Sequence, residues 1–214
     1  MFEYVQERET ASRLIPRTIV YVITTGESEK GDEDKLSERG ENQVLEIALS
    51  RVVAGVRVIY SSASKLAVST SKILSEEFNA RIQKKSCLND VEIGKSTEYR
   101  ETVLEMWKDP EFEPKDGESF ESARERFGEC MNMIASKYQG DVFAVVTHPL
   151  IAILFHSLVT AAPLDLRDWL STGNASCASY EYTNKGWSIV MPPDNSYLSD
   201  PTYVSDGYQE GYFD

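Results

Sequence analysis

No stretch of this chain approaches the roughly 18 consecutive apolar residues that a helix needs to cross a bilayer, so no membrane span is expected. The first residues carry acids and arginines where a secretory leader would be apolar, and a cytoplasmic location is the expectation. Positive charge is also short: 22 Lys and Arg face 35 Asp and Glu, for a formal net charge of −13 and a pI near 4.7. That field repels polyanions and argues against nucleic acid or an anionic membrane as a partner. The three cysteines, Cys87, Cys130 and Cys177, are odd in number and far apart. They predict reduced thiols rather than a disulfide framework, and their spacing matches no metal site. Histidine is scarcest: there are two, His148 and His156, and none precedes position 148.

What is present describes a soluble globular chain. At 214 residues, with 41% hydrophobic and 27% charged residues, it can bury one core and leaves little for a second domain. The expected organisation is an extension over 1–16, a domain over 17–192 and an acidic, tyrosine-containing tail over 193–214 that has no Lys or Arg. That composition predicts a solvated tail packing a few tyrosines on its own surface. A partner-binding peptide and a segment folded across the site are the alternatives.

The β-branched and aromatic run over 18–24 predicts a buried strand, followed by an acidic loop with Glu27, Glu29, Asp32, Glu33 and Asp34. Ser37 is a plausible N-cap for a helix whose apolar positions run from Val44 to Val53 before Gly55. Val56–Tyr60 predicts a second strand, and Ser62 or Ser64 the cap of the next helix. A short strand is expected near Arg81–Gln83, with helices over about 98–108 and, after Ser119, about 119–137. Asp141–Thr147 predicts a third central strand, and Pro149 opens an apolar helix, where a missing amide donor does no harm. The alternation of strand and helix predicts a three-layer α/β domain with a mostly parallel sheet, whose strand ends carry the site.

Several segments, in order, resemble the histidine phosphatase superfamily, the phosphoglycerate mutase-like proteins. Thr24-Thr25-Gly26-Glu27 stands in the frame of that family's Arg-His-Gly-Glu, and Leu36-Ser37-Glu38-Arg39-Gly40 is similar to its Leu-Thr-Glu-Arg-Gly helix start. Ile59-Tyr60-Ser61-Ser62, Asp116-Gly117-Glu118-Ser119, Val145-Val146-Thr147-His148 and the pair around Tyr180–Tyr182 and Gly186-Trp187 continue the match over about residues 17–192. The resemblance implies the three-layer αβα fold and phosphoryl transfer through a phosphohistidine, with arginines clamping the phosphate and a carboxylic acid protonating the leaving oxygen.

Position by position, the implied chemistry is missing. Thr25 stands at the nucleophile, Thr24 and Leu66 at the two arginines, and Gly31 where many members have asparagine. His148 remains, followed by Pro149 and Leu150 in place of a glycine pair; Asp90 or Glu118 matches the acid position. Losing two arginines and a histidine weakens phosphate binding by several kcal/mol. A member without catalysis that acts by binding a protein or small ligand is expected, with no cofactor. The alternatives are a weak phosphatase or mutase using Lys65, Arg57 or Arg39 as a substitute cation, and an assembly subunit. Thr25 and His148 could also form a hydroxyl–imidazole pair, and His156 is expected to be structural.

Overall fold

The computed structural model describes residues 16–95, 98–138, 140–208 and 211–213, so nearly all of the expected extension over 1–16 lies outside the described residues. Eight strands and six α-helices alternate among the described residues: β1 (Thr18–Thr24), β2 (Ser28–Glu29), β3 (Asp32–Leu36), α1 (Glu38–Leu49), β4 (Val58–Ser61), α2 (Lys65–Phe78), β5 (Arg81–Lys84), α3 (Tyr99–Lys108), α4 (Phe120–Ala135), β6 (Val142–Thr147), α5 (Pro149–Thr160), α6 (Leu166–Leu170), β7 (Cys177–Thr183) and β8 (Gly186–Asp194). The central sheet has six strands in the order β5-β4-β6-β1-β7-β8. β7 pairs antiparallel with both its neighbours, and the remaining pairs are parallel.

Three layers follow from the alternation of side chains along buried strands. In β1, Val20 and Val22 join the core under α3, α4 and α5, with Phe120, Phe127, Met131 and Phe155. Ile23 faces the opposite core, with Val44 and Ile47 of α1 and Ala67 and Leu74 of α2. β6 repeats the pattern, Phe143 and Val145 facing one layer and Ala144 and Val146 the other. Each large side chain so buried contributes about 1.5–3 kcal/mol.

The expected serine caps form. Ser37, Ser64 and Ser119 accept from the amides of Gly40, Ala67 and Ser122 at 2.9, 3.1 and 3.1 Å, satisfying donors that helix starts leave open. No helix among the described residues is long and apolar enough to cross a membrane.

Three expectations are corrected. The acidic segment after β1 is not an open loop but the β2–β3 hairpin, which turns at Gly31 in the left-handed region at φ 88°. Cys87 and Cys130 are disulfide-bonded, with Cα atoms 5.9 Å apart, although 43 residues separate them in sequence. The thiol argument for a cytoplasmic location therefore lapses. Cys177 is the free cysteine; burial, with a smaller push from Asp194, raises its thiol to about 12 and makes it unreactive. Alkylating the denatured, unreduced protein is expected to modify one thiol per chain; three modified thiols would contradict the pairing.

The third correction is one of degree: the tail packs tyrosines on the domain as expected, but it lies there as a strap with buried anchors rather than as a solvated segment. Leu198 and Thr202 are buried, and the Tyr197 hydroxyl donates to the Ala175 carbonyl at 2.6 Å. Arg39 on α1 pairs with Asp200 at 2.9 Å. The Thr202 hydroxyl accepts from Gln43 at 2.8 Å and from Asn174 at 2.9 Å. Farther along, Tyr208 and Phe213 pack on Trp169 of α6, and Tyr208 hydrogen-bonds Tyr99 of α3.

Candidate functional site

Because β4, β6 and β1 are adjacent and parallel, their C-terminal ends open on one edge of the sheet. Thr24 pairs in register with Thr147, and Ser61 with Val146. The next residues, Thr25, Ser62 and His148, therefore emerge together, where open α/β sheets place their ligands. Backbone bonds fix two of them: the Thr25 amide donates to the Thr147 carbonyl and the Ser62 amide to the Val146 carbonyl, each at 2.9 Å.

Both threonines are almost fully buried. The Thr24 hydroxyl donates to the Gly173 carbonyl at 2.9 Å and accepts from the Ser176 amide at 2.8 Å. It thus fastens β1 to the segment before β7. The Thr25 carbonyl accepts from the Ala175 amide at 2.8 Å, while its hydroxyl makes no hydrogen bond among the described residues. A threonine pair at this strand end joins two parts of the fold, whereas a forked cation would have to be housed in the same closed space.

His148 precedes α5, with its imidazole Nε2 2.9 Å from the Ser64 hydroxyl and 3.4 Å from that of Ser62. Ser62 donates its proton to Asn89 Oδ1 at 3.0 Å, and the Ala63 amide donates to the same oxygen at 2.9 Å. The imidazole is held in a cluster of hydroxyls and an amide. No hydrogen bond joins it to Thr25 among the described residues, so a hydroxyl–imidazole pair is not formed.

The two acid candidates are also engaged. Asp90 accepts from the Ile151 amide at 3.2 Å and so caps the first turn of α5. Glu118 is forked by Arg126, Nη2 to Oε1 at 2.6 Å and Nε to Oε2 at 3.0 Å. Arg126 also donates to the carbonyls of Cys87, Asn89 and Asp90 at 2.9, 3.1 and 3.2 Å. One guanidinium thereby ties the loop after β5 to α4 and fixes Asn89 and Asp90. Sequence reading missed it, since it lies in no motif and its partners are mainly backbone carbonyls. Arg126→Met is expected to lower stability by about 2–4 kcal/mol by leaving a half-buried carboxylate and three carbonyls without their donor. A urea titration checks this, and a midpoint unchanged from wild type would contradict it.

The remaining candidates lie apart from this cluster. Gly31 is exposed at the tip of the β2–β3 hairpin, and Leu66 is buried in the first turn of α2. The substitute cations do not face an anion site. Lys65 pairs with Asp34 at 2.7 Å, and Arg39 is shared between Glu27 at 3.5 Å and Asp200 at 2.9 Å. Arg57 precedes β4 and so stands at the opposite edge of the sheet. His156 lies in α5 with Nδ1 3.0 Å from the Tyr180 hydroxyl.

The strap crosses beside this edge. Asn174 donates its amide to the Thr202 carbonyl at 2.8 Å, and Ala175 is bonded to Thr25.

A family model described as histidine phosphatase superfamily (branch 1) matches residues 24–195. A comparison with curated proteins finds no match. Among solved structures, YhfR of Bacillus stearothermophilus is 20% identical, covering 84% of this chain and 98% of that one, with a TM-score of 0.70. A mutant phosphoserine phosphatase from Entamoeba histolytica, in complex with phosphoserine, is 15% identical over 85% and 99% of the two chains, with a TM-score of 0.69. A phosphoglycerate mutase from Bacillus anthracis is 16% identical over 90% and 97%, with a TM-score of 0.66. At these identities the likeness establishes the shared three-layer fold.

Proposed function

The chain belongs to the histidine phosphatase superfamily, branch 1, and we propose that within it the protein has given up phosphoryl transfer and acts by binding. What it binds is a protein or a ligand less anionic than phosphate. The observation that carries this reading is the closed set of partners at the strand ends. Thr24 is bonded to Gly173 and Ser176, His148 to Ser64 and Ser62, Asp90 to the start of α5, and Glu118 to Arg126. Apart from the Thr25 hydroxyl, each of these groups that could serve a phosphate or its leaving oxygen already serves the fold. The positions matched to the two arginines hold Thr24 and Leu66, both buried.

Charge favours the same reading. Glu27, Glu29, Asp32, Glu33 and Asp34 line the segment beside the site, and Lys35, Lys65 and Arg39 are paired with members of that group. A phosphate dianion would meet a negative field with no forked donor, at a cost of roughly 4 kcal/mol or more relative to a site with two arginines and a histidine, about a thousand-fold in affinity. Titrating inorganic phosphate and orthovanadate into the purified protein by calorimetry tests this directly. The expected result is no saturation in the millimolar range, and tight saturable binding of either anion would overturn the reading. A cytoplasmic location remains part of the proposal; alkylation of the protein in intact cells, with Cys87 and Cys130 found permanently oxidised, would count against it.

A further inference from the structure

We propose that the Cys87–Cys130 pair is a redox-sensitive device that sets the geometry around His148. Oxidised, it clamps the loop after β5 against α4; reduced, it lets that loop open. The inference concerns how the site is held, and it stands whether the site transfers phosphate or only binds.

The loop over 85–90 reaches every element around His148. At the end of β6, the Thr147 hydroxyl donates to the Leu88 carbonyl at 2.8 Å. Asn89 Oδ1 accepts from the Ser62 hydroxyl and the Ala63 amide, and so positions the hydroxyl that lies 3.4 Å from His148 Nε2. Asp90 Oδ1 accepts from the Ile151 amide in the first turn of α5, the helix that begins directly after His148. A shift of this loop therefore moves the hydroxyl cluster and the helix start together.

Two tethers hold the loop from its other side, and both come from α4. Cys130 is bonded covalently to Cys87, and Arg126, one turn earlier on the same face of the helix, donates to the carbonyls of Cys87, Asn89 and Asp90. The guanidinium is shared with Glu118 and cannot be switched by any ordinary chemistry of the cell. The disulfide can be. Cys87 is half-buried and Cys130 is 3% exposed, so Cys87 is the residue that an incoming thiolate reaches. A thiolate of a dithiol reductant attacks Cys87 Sγ, a mixed disulfide forms there, and Cys130 leaves as a thiolate that takes up a proton. The second thiolate of the reductant then displaces Cys87, which is protonated in turn, and the reductant departs as its own disulfide. A low-molecular-weight disulfide reverses the exchange. Cys177 is fully buried and takes no part. In a reducing compartment disulfides are mostly transient, catalytic or redox-sensing, and a pair that is half-open to solvent and bonded across the loop beside His148 suits the last of these roles.

The test is NMR of the full-length protein, oxidised and then in excess dithiothreitol, with far-UV circular dichroism confirming that the reduced chain is folded. His148 and His156 are the two histidines of the chain, so their ring signals report separately on the site and on a control position. On reduction the His148 signals are expected to move and those of His156 to stay. The amides of Leu88 and Asn89, which donate to Lys85 and Ser86 within the loop, are expected to exchange about ten-fold faster or more. Oxidised glutathione is expected to restore both. Replacing both cysteines, as Cys87→Ser with Cys130→Ser, is expected to give the reduced spectrum without reductant and no response to it. A disulfide that served stability alone would leave both histidines in place in the folded, reduced protein, and that result would overturn the proposal. So would a native disulfide that dithiothreitol does not cleave, or a His156 shift as large as that of His148. If the double variant fails to fold, the reversible change in the wild type still decides it. Phosphate and vanadate titrations of the oxidised protein test the reading of the site itself, so the two can fail separately.

Discussion

Gly40→Ala is expected to destabilise the domain by about 3 kcal/mol or more, a fall in melting temperature of roughly 6–12 °C for a chain of this size. An added Cβ would stand 2.1 Å from the Glu27 carbonyl oxygen and 2.8 Å from its amide nitrogen. Both are backbone atoms, so no rotamer change relieves the clash. From the other side of the same seam, a Cβ at Gly26 would meet the Gly40 carbonyl at 2.6 Å. The segment leaving β1 and the first turn of α1 are thus in backbone contact, and this contact sets where Thr24 and Thr25 stand. Gly207→Ala, which meets open space, is the control and is expected to be neutral. Thermal unfolding followed by circular dichroism reads both, and equal melting temperatures for the two variants would contradict the account of the seam.

Rebuilding the family's residues as Thr24→Arg, Thr25→His and Leu66→Arg is expected to lower stability by more than about 4 kcal/mol and to yield no phosphatase. At position 24 the change removes the donor to Gly173 and the acceptor for Ser176, two groups that are buried with the threonine. The incoming guanidinium would enter a space that is 3% exposed at Thr24, and a second would replace Leu66 at 8%. A buried cation without a paired anion is among the costliest substitutions in proteins. The neighbouring groups are engaged as well: Ser64 and Ser62 hold His148, and Arg126 holds Glu118. Comparing melting temperature and turnover in the triple variant checks this, and a stable, active variant would show that the pocket had kept its phosphate geometry.

Much of the fold was legible because its signals are local and additive. Ser37, Ser64 and Ser119 cap the helices they were expected to cap, and the apolar runs at β1 and β6 are buried on both faces as their continuity implies. What the sequence concealed is pairing at a distance. Cys87 and Cys130 meet only because α4 packs over the loop after β5, and Arg126 finds three carbonyls there by the same packing. The hairpin at Gly31 was hidden because its residues, Asp32 to Lys35, are charged and exposed, without the alternation that marks a half-buried strand. The strap reads as a polar tail for a related reason. It docks through single anchors, Leu198 and Thr202 among them, spaced too irregularly for any period to show.

Within the site, the sequence indicates which positions to examine but not the partners that the side chains there take. Sequence order alone aligned Thr24, Thr25 and Leu66 with positions of the family pattern. That His148 would rest on two serine hydroxyls and that Asp90 would cap α5 depended on loop paths with no sequence period.

The most direct measurement is turnover of p-nitrophenyl phosphate by the purified full-length protein, side by side with His148→Ala. Loss of phosphoryl transfer predicts that wild type and His148→Ala are indistinguishable from the uncatalysed rate. Saturable hydrolysis by the wild type that disappears in His148→Ala would contradict it.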